Sequence, residues 1–223
     1  MTRRRPAPAG ELPPYAQARQ AKRARYDAGT VHAILDQGLV GHFGFVADDR
    51  PMVMPMAYAR SGHCLYLHGA SKTRAMCLTT GAPACLTVTL LDGIVAARSA
   101  FNHSVNFRCA VVHGTVRPVD EAAEKELALR QITEHLLPGR WSEVRPMLAR
   151  ENKATGVLAM DIVAASAKVR EGGPLDDEAD QALPIWAGVV PVVTALGQPL
   201  GEAGQPAGTV IPPSIGAARR KFA

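Results

Sequence analysis

The sequence predicts a mainly β domain with flanking helices, arranged as a small antiparallel barrel. Short apolar stretches with alternating side chains recur at a spacing of about ten residues between positions 40 and 116, and turn residues separate them. Aromatic residues make up only 5% of the chain, so we expect a core of aliphatic side chains and Met. At 223 residues, the chain is long enough for one such domain with appendages.

Composition divides the chain into three parts. Residues 1–26 form a basic arm rich in Pro, Ala and Arg, residues 27–171 form the domain, and residues 172–223 form an extended arm with an apolar island at 184–191. The formal charge of +5 lies in the arms, because the first 26 residues carry net +6, the last ten carry net +3, and the body is left at −4. Solvated basic tails without interleaved aromatic residues predict no specific nucleic-acid partner.

The cysteine and hydropathy patterns predict a reduced, cytoplasmic protein. The four cysteines, at positions 64, 77, 85 and 109, form no CxxC pair and match no zinc spacing, so no metal site is expected. No apolar segment follows the three N-terminal arginines, and no stretch reaches about 18 uncharged apolar residues. We therefore expect no membrane partner.

A helix and a strand meander are predicted for residues 30–68. Thr30 is a favourable N-cap, apolar residues with helical spacing follow it, and Gly38 can end the helix. Strands are then predicted at residues 40–47, 52–59 and 64–68. Phe43 and Phe45 share one face of the first of these strands, and Pro55 indicates that the second is an edge strand or carries a bulge.

Further strands and helices are predicted for residues 70–170. A helix begins at Ala70 or Ser71 and ends before Gly81, and Asp92-Gly93 is a hairpin signal between two strands. An amphipathic helix is expected at 120–137 and a second helical stretch at 141–150. The remaining strands are predicted at residues 84–91, 94–100, 108–116, 155–163 and 166–170.

The segment at residues 71–74, which reads Ser-Lys-Thr-Arg, is the strongest local signal for a binding site. A strand ends, Gly69 permits a tight turn, and the predicted helix starts with two hydroxyls and two cations. Backbone N–H groups in the first turn of a helix attract anions, whereas cations there are unfavourable unless an anion lies among them. The pattern therefore indicates a phosphate site, and a Ser N-cap with two solvated cations is the alternative.

Six segments together carry a family resemblance. They read VGHFGF, RPMVMPM, LYLHGAS, VTLLDG, RSAFNHSVNFR and KVR, at residues 40–45, 50–56, 65–71, 88–93, 98–108 and 168–170. In order and spacing they resemble the flavin-nucleotide-binding branch of the pyridoxamine 5′-phosphate oxidase-like family, over about residues 26–191. The resemblance implies a six-stranded antiparallel split β-barrel and a homodimer with FMN at the subunit interface.

The same resemblance implies which residues contact FMN. Backbone groups of the strand that contains Met54, Pro55 and Met56 would follow the edge of the isoalloxazine ring, and Trp186 would approach the flavin from the partner chain. The phosphate would be held by Ser71, Lys72 and Arg74. From its own position at the end of a strand beside this corner, His68 could add a donor, and satisfying a backbone group is the alternative. The wall of the cofactor site would be formed by Thr87 and Thr89, or by Arg98 and Ser99.

The polar loop between the strands predicted at 94–100 and 108–116 contains His103 and Asn106, and with Arg108 it offers groups that could stabilise a reduced flavin. His103, Asn106 and Arg108 are candidates for a donor or cation near the ring, and a purely structural polar cluster is the alternative. A haem would need an axial ligand, and nothing in the sequence selects one among the six candidates His32, His42, His68, His103, His113 and His135. No catalytic residue is identified.

The sequence is consistent with two functions. The first is an FMN-dependent oxidoreductase that acts on an unidentified small molecule. The second is a non-catalytic flavin or haem protein, a carrier or sensor on the same fold, because no acid–base pair or substrate cluster is visible.

Overall fold

The computed structural model describes residues 12–222, which form one antiparallel sheet of nine strands with four α-helices. In chain order the elements are β1 (Ala24–Arg25), α1 (Ala28–Gln37), β2 (Gly41–Ala47), β3 (Arg50–Met56), β4 (Tyr58–Ser61), β5 (Cys64–Ala70), β6 (Pro83–Ala96), β7 (Ser104–Pro118), α2 (Ala122–Leu136), α3 (Ala149–Ala154), β8 (Thr155–Arg170), β9 (Gly188–Pro191) and α4 (Pro213–Lys221).

The strand order is β3-β2-β6-β7-β8-β5-β4, with β1 added beside β8 and β9 added beside β6. The six longest strands, β2, β3, β5, β6, β7 and β8, are the strands of the predicted barrel, and the short ones extend it. Strands β3 and β4 end the order without pairing with each other, so the barrel is split and the predicted fold class is confirmed.

The core lies between the curved sheet and the helices. Phe43 and Phe45 alternate with outward residues on β2, are buried, and stack with ring centroids 5.4 Å apart, as their spacing predicts. Helix α1 adds Ile34 and Leu35 to this cluster. A second cluster forms on the other side of β5, where α2 packs through Ile132 and its neighbours.

A bulge in β8, at Val163, lets β7 and β8 approach each other unusually closely. The register of the β7–β8 pair shifts between His113 and Gly114. A Cβ atom on Gly114 would lie 1.9 Å from the carbonyl oxygen of Asp161, a distance at which no side chain fits. Glycine at this position is therefore required by the close contact between backbones.

Several predicted strand boundaries differ from those of the structure. Asp92-Gly93 is not a hairpin turn; it is an irregularity within the continuous strand β6, and the actual hairpin connection lies at 97–103. The strands predicted at 155–163 and 166–170 are one strand, β8. The strand predicted at 52–59 is divided between β3 and β4.

Three helix predictions also need correction. The N-cap of α1 is Asp27, whose carboxylate accepts a hydrogen bond from the Thr30 amide, so Thr30 lies inside the helix. The helix predicted to start at Ala70 or Ser71 is absent; a turn is followed by one short 3₁₀ segment, Ala75–Cys77. The stretch predicted at 141–150 contains a 3₁₀ turn, Arg140–Glu143, and α3 begins only at Ala149.

The described parts of both arms pack against the domain. Residues 12–26 cross the sheet, with Leu12 and Ala16 buried and Tyr15 edge-on to His113. The rest of the basic arm, residues 1–11, lies outside the described residues.

The C-terminal arm contains β9, at the predicted apolar island, and also α4, which the sequence analysis did not predict. Phe222 at the end of α4 is buried, and the Lys221 ammonium donates to the His135 carbonyl oxygen at 2.7 Å. Within residues 12–222, no helix combines the length and apolarity that crossing a membrane requires.

Candidate functional site

The 71–74 corner, which is the turn formed by residues 71–74, connects β5 to the short 3₁₀ segment. Strand β5 ends at Ala70, which pairs with Thr155 at the start of β8. The Ser71 amide donates to the Ala154 carbonyl oxygen at 2.9 Å, and the Thr73 amide donates to the Ala70 carbonyl oxygen at the same distance. These two bonds fix the turn against the beginning of β8.

The corner presents donors that the described chain does not use. The hydroxyls of Ser71 and Thr73, the ammonium of Lys72, and the amides of Lys72 and Arg74 donate to no group within residues 12–222. Nε of Arg74 lies 3.8 Å from Oδ2 of Asp48. Because both side chains are mostly exposed, this ion pair is weak. The 3₁₀ segment that follows has only three residues, so no helix dipole acts on the corner. Attraction of an anion to the corner therefore depends on these individual donors.

The contact between Arg74 and Asp48 places the corner beside the start of β3. Asp48 and Asp49 form the tight β2–β3 turn, and both have left-handed backbone angles, with φ of 52° and 55°. Strand β3 pairs only with β2 among the described strands, so its second edge carries free backbone groups. Pro55 lies on this edge strand, as its position in the sequence predicts.

The predicted residues on β3 and β6 divide between the two faces of the sheet. Met54 and Met56 point inward and pack against the core. His42 pairs with Pro55 of β3 on one side and with Thr87 of β6 on the other. These three residues therefore lie on the face of the sheet that points away from the core, opposite to Met54 and Met56. This outer face consists of Pro51, Val53, Pro55, His42, Gly44, Val46, Cys85, Thr87, Thr89 and Leu91.

The outer face carries no formal charge and is largely exposed. Val53 is 66% exposed and Val46 is 57% exposed, although both lie within regular strands. Contiguous apolar or uncharged surface of this kind marks a contact region in many proteins.

His68 lies near the end of β5, three residues before the corner. Its Nδ1 atom is buried and has no hydrogen-bonding partner within residues 12–222. Burial lowers the pKa of His68 below its ordinary value, so the ring is neutral at pH 7. A neutral imidazole can accept a hydrogen bond or coordinate a metal ion.

The remaining polar candidates cluster at the β6–β7 connection, at the far end of β6 from the corner. Arg98 is paired with Asp176 at 2.9 Å, and the Ser99 carbonyl oxygen lies 2.8 Å from Nδ1 of His103. Asn106 is 8% exposed and donates to the Gly172 carbonyl oxygen at 3.0 Å. Within one chain, these four residues therefore do not lie at the corner. Most of their polar groups already form hydrogen bonds or ion pairs with other residues of the same chain.

Trp186 lies on the C-terminal arm just before β9. Its side chain is 67% exposed, and its ring covers Gly188, where a Cβ atom would lie 3.0 Å from the indole. Gly188 pairs with Ala96, so Trp186 is held beside the β6–β7 connection and not beside the corner of its own chain.

A cleft of about 500 Å³ was not predicted from the sequence. Its walls are residues 37–40 before β2, residues 89–92 in the middle of β6, residues 192–196 of the arm, and Phe222. His42 and Arg108 contribute polar groups, and the hydrogen bonds that the Arg108 guanidinium donates to the Asp92 carboxylate raise the pKa of Arg108. No local signal could reveal this cleft, because it forms only when the arm folds back over the sheet.

Comparison with known proteins identifies one matching family and two similar solved structures. A family model for pyridoxamine 5′-phosphate oxidase matches residues 27–169. The flavocytochrome Anf3 from Azotobacter vinelandii is 39% identical, with a TM-score of 0.84, and the match covers 90% of this chain and 94% of that one. The FAD and heme binding protein from Mycobacterium smegmatis is 35% identical, with a TM-score of 0.82, and the match covers 88% of this chain and 97% of that one. Among curated proteins, nothing matches.

Proposed function

The chain belongs to the pyridoxamine 5′-phosphate oxidase-like family, and from this premise we propose that it is a flavoprotein that binds FMN, or FAD through the phosphate that the two share. The observation that carries the proposal is the 71–74 corner, where five donors from Ser71, Lys72, Thr73 and Arg74 have no acceptor in the described chain. A phosphate supplies several acceptor oxygens and two negative charges to such a turn.

The free edge of β3 is the second part of the proposed flavin site. It begins at the β2–β3 turn, which Arg74 contacts through Asp48, so it starts beside the phosphate corner. Its unpaired backbone groups can exchange hydrogen bonds with the polar edge of a flavin ring. Thr87 and Thr89 lie on the outer face two strands away and are the side chains we assign to the wall of the site.

Lys72→Ala combined with Arg74→Ala should weaken FMN binding by about a hundredfold or more, because each lost charge-assisted hydrogen bond contributes about 1.5–3 kcal/mol. Both side chains are exposed, so the fold should be unaffected. Riboflavin lacks the phosphate, and its affinity should change little. Fluorescence quenching titrations with FMN, FAD and riboflavin measure all three affinities.

The matched control is Arg130→Ala with Lys153→Ala, which removes two exposed cations from α2 and α3. This control should bind FMN as the unmodified chain does. If FMN and riboflavin affinities fall equally in the corner variant, the phosphate does not bind at the corner.

We further propose that the protein is a homodimer in which the outer face of one subunit meets the other subunit, with the flavin at the interface. The uncharged, exposed surface of β2, β3 and β6 supports this arrangement. In a dimer, Trp186 and the β6–β7 connection of one subunit can reach the corner of the other, which one chain alone does not achieve.

Val53→Arg should convert the dimer to a monomer, because it would place a cation within the apolar contact. Sedimentation equilibrium should then give the mass of one chain, 23.7 kDa, in place of twice that value. The control is Leu200→Arg, which charges an apolar residue that is 95% exposed on the C-terminal arm. A monomeric unmodified protein would refute the dimer and leave the corner proposal intact.

A second ligand, haem, is proposed because the two relatives named above are a flavocytochrome and a FAD and heme binding protein. The residue that best fits an axial ligand is His68, whose neutral ring has a buried, unpartnered Nδ1 next to the corner. Two other histidines compete. His63 also has a buried Nδ1 without a partner within residues 12–222, and His42 borders the 500 Å³ cleft with its apolar walls and Arg108.

His68→Ala should abolish the visible absorption band of bound haem after haem is added to the purified protein, and His42→Ala should retain it. Thermal unfolding serves as the control for folding in both variants. Loss of the band only in His42→Ala would move the ligand to the cleft, and a protein that takes up no haem would exclude haem without affecting the flavin proposal.

The reaction class is an FMN-dependent oxidoreductase, with a non-catalytic flavin carrier as the alternative. A bound flavin supplies hydride or electron transfer, and the protein supplies binding, orientation and electrostatics. The purified, flavin-loaded protein should oxidise NADH or NADPH with a dye acceptor faster than the same concentration of free FMN does. A rate no higher than that of free FMN across several acceptors would favour the carrier.

A further inference from the structure

Four cations line a second cleft, of about 350 Å³, at the end of β8. Lys22, Arg23 and Arg25 come from the segment around β1, and Arg170 is the last residue of β8. The cleft is completed by residues 169 and 171–175, of which only Glu171 is acidic. The cleft therefore carries a surplus of positive charge.

Arg170 is the buried member of this group. It is 7% exposed, and one of its terminal nitrogens donates to the side-chain oxygen of Asn106. The amide nitrogen of Asn106 in turn donates to the Gly172 carbonyl oxygen at 3.0 Å, so the guanidinium is held at a fixed position. The Nε atom of Arg170 is buried and has no partner within residues 12–222. A buried donor without an acceptor is unfavourable and is uncommon in proteins.

The positive charges in the cleft are not neutralised by the described chain. None of the four cations forms an ion pair within residues 12–222, whereas Arg60, Arg98 and Arg117 elsewhere each pair with a carboxylate. Burial, together with the nearby charge of Arg23, lowers the pKa of Arg170. Like charges held near a buried guanidinium oppose folding unless an anion lies among them.

We propose that this cleft binds the phosphate group of a small molecule, with Arg170 as the buried anchor and Lys22 and Arg23 at the mouth. A guanidinium with free N–H groups matches the oxygens of a phosphate, and a diphosphate carries enough negative charge to balance the surplus. The site is separate from the 71–74 corner within one chain, because Arg170 and Thr155 are at opposite ends of β8 and the corner lies beside Thr155.

Isothermal titration calorimetry with inorganic pyrophosphate tests the proposal on the full-length protein with saturating FMN, which occupies the 71–74 corner. Pyrophosphate should still bind in this state, because the cleft is a separate site. Lys22→Gln with Arg23→Gln should weaken this binding about ten- to a hundredfold. Arg170→Met should abolish it, and thermal unfolding checks that this variant is folded. Titration with inorganic phosphate determines whether one phosphate group is sufficient.

A control variant separates this site from other anion binding. Arg150→Gln with Lys153→Gln removes two exposed cations from α3 and should leave pyrophosphate binding unchanged. The proposal is overturned if pyrophosphate does not bind, if the Lys22 and Arg23 variant binds as the unmodified chain does, or if the α3 variant loses as much affinity.

Discussion

The pairing of β7 with β6 along one edge and with β8 along the other is the interaction on which the rest of the structure depends. These three strands have 14, 15 and 16 residues, and their ladders run through most of those residues. Every other strand attaches to this central ladder directly or through one neighbour. Because the register of an antiparallel pair determines which side chains share a face, the ladder sets the position of both the 71–74 corner and the cation cleft.

The distribution of ion pairs distinguishes structural cations from those available to ligands. Arg60, Arg98 and Arg117 each form a short ion pair with a carboxylate of another element, and these pairs hold α1, the C-terminal arm and α2 against the sheet. Lys72 and the cations near Arg170 have no such partner in the described chain. The sequence alone does not separate the two groups, since the pairs join residues up to 78 positions apart.

Much of the fold was predictable, because alternation and helical periodicity are local properties. The inward positions of Phe43 and Phe45, the edge position of β3 and the extent of α2 all follow from the residues themselves. Asp92-Gly93 was misleading because pairing with β7 and β9 on both sides keeps β6 extended through a dipeptide that favours a turn. Helix α4 escaped prediction because its stability depends on distant contacts to Glu143 and His135.

The candidate site was predictable only in part for the same reason. The corner is a continuous stretch of sequence, so its donors could be identified, although the dipole assigned to a following helix does not exist. The length of β6 separates that corner from the β6–β7 connection, where Arg98, Ser99, His103 and Asn106 lie. Predicting a hairpin turn at Asp92-Gly93 made β6 too short, so this separation was not predicted. The cation cleft forms because β1, in the N-terminal segment, pairs with β8, and no pattern in the sequence predicts that pairing.

The free edge of β3 has a consequence for how the protein behaves at high concentration. An unpaired strand edge is a template onto which another extended chain can add, and repeated addition leads to aggregation. Pro51 and Pro55 lie four residues apart in β3 and contribute no N–H group, and proline is tolerated in a sheet where its nitrogen faces away from the paired neighbour. The exposed edge can therefore accept hydrogen bonds but lacks donors at two regular positions. A small planar molecule can still dock against this edge, whereas a second strand cannot form a continuous ladder along it, so the same two prolines protect the protein from fibre-like assembly.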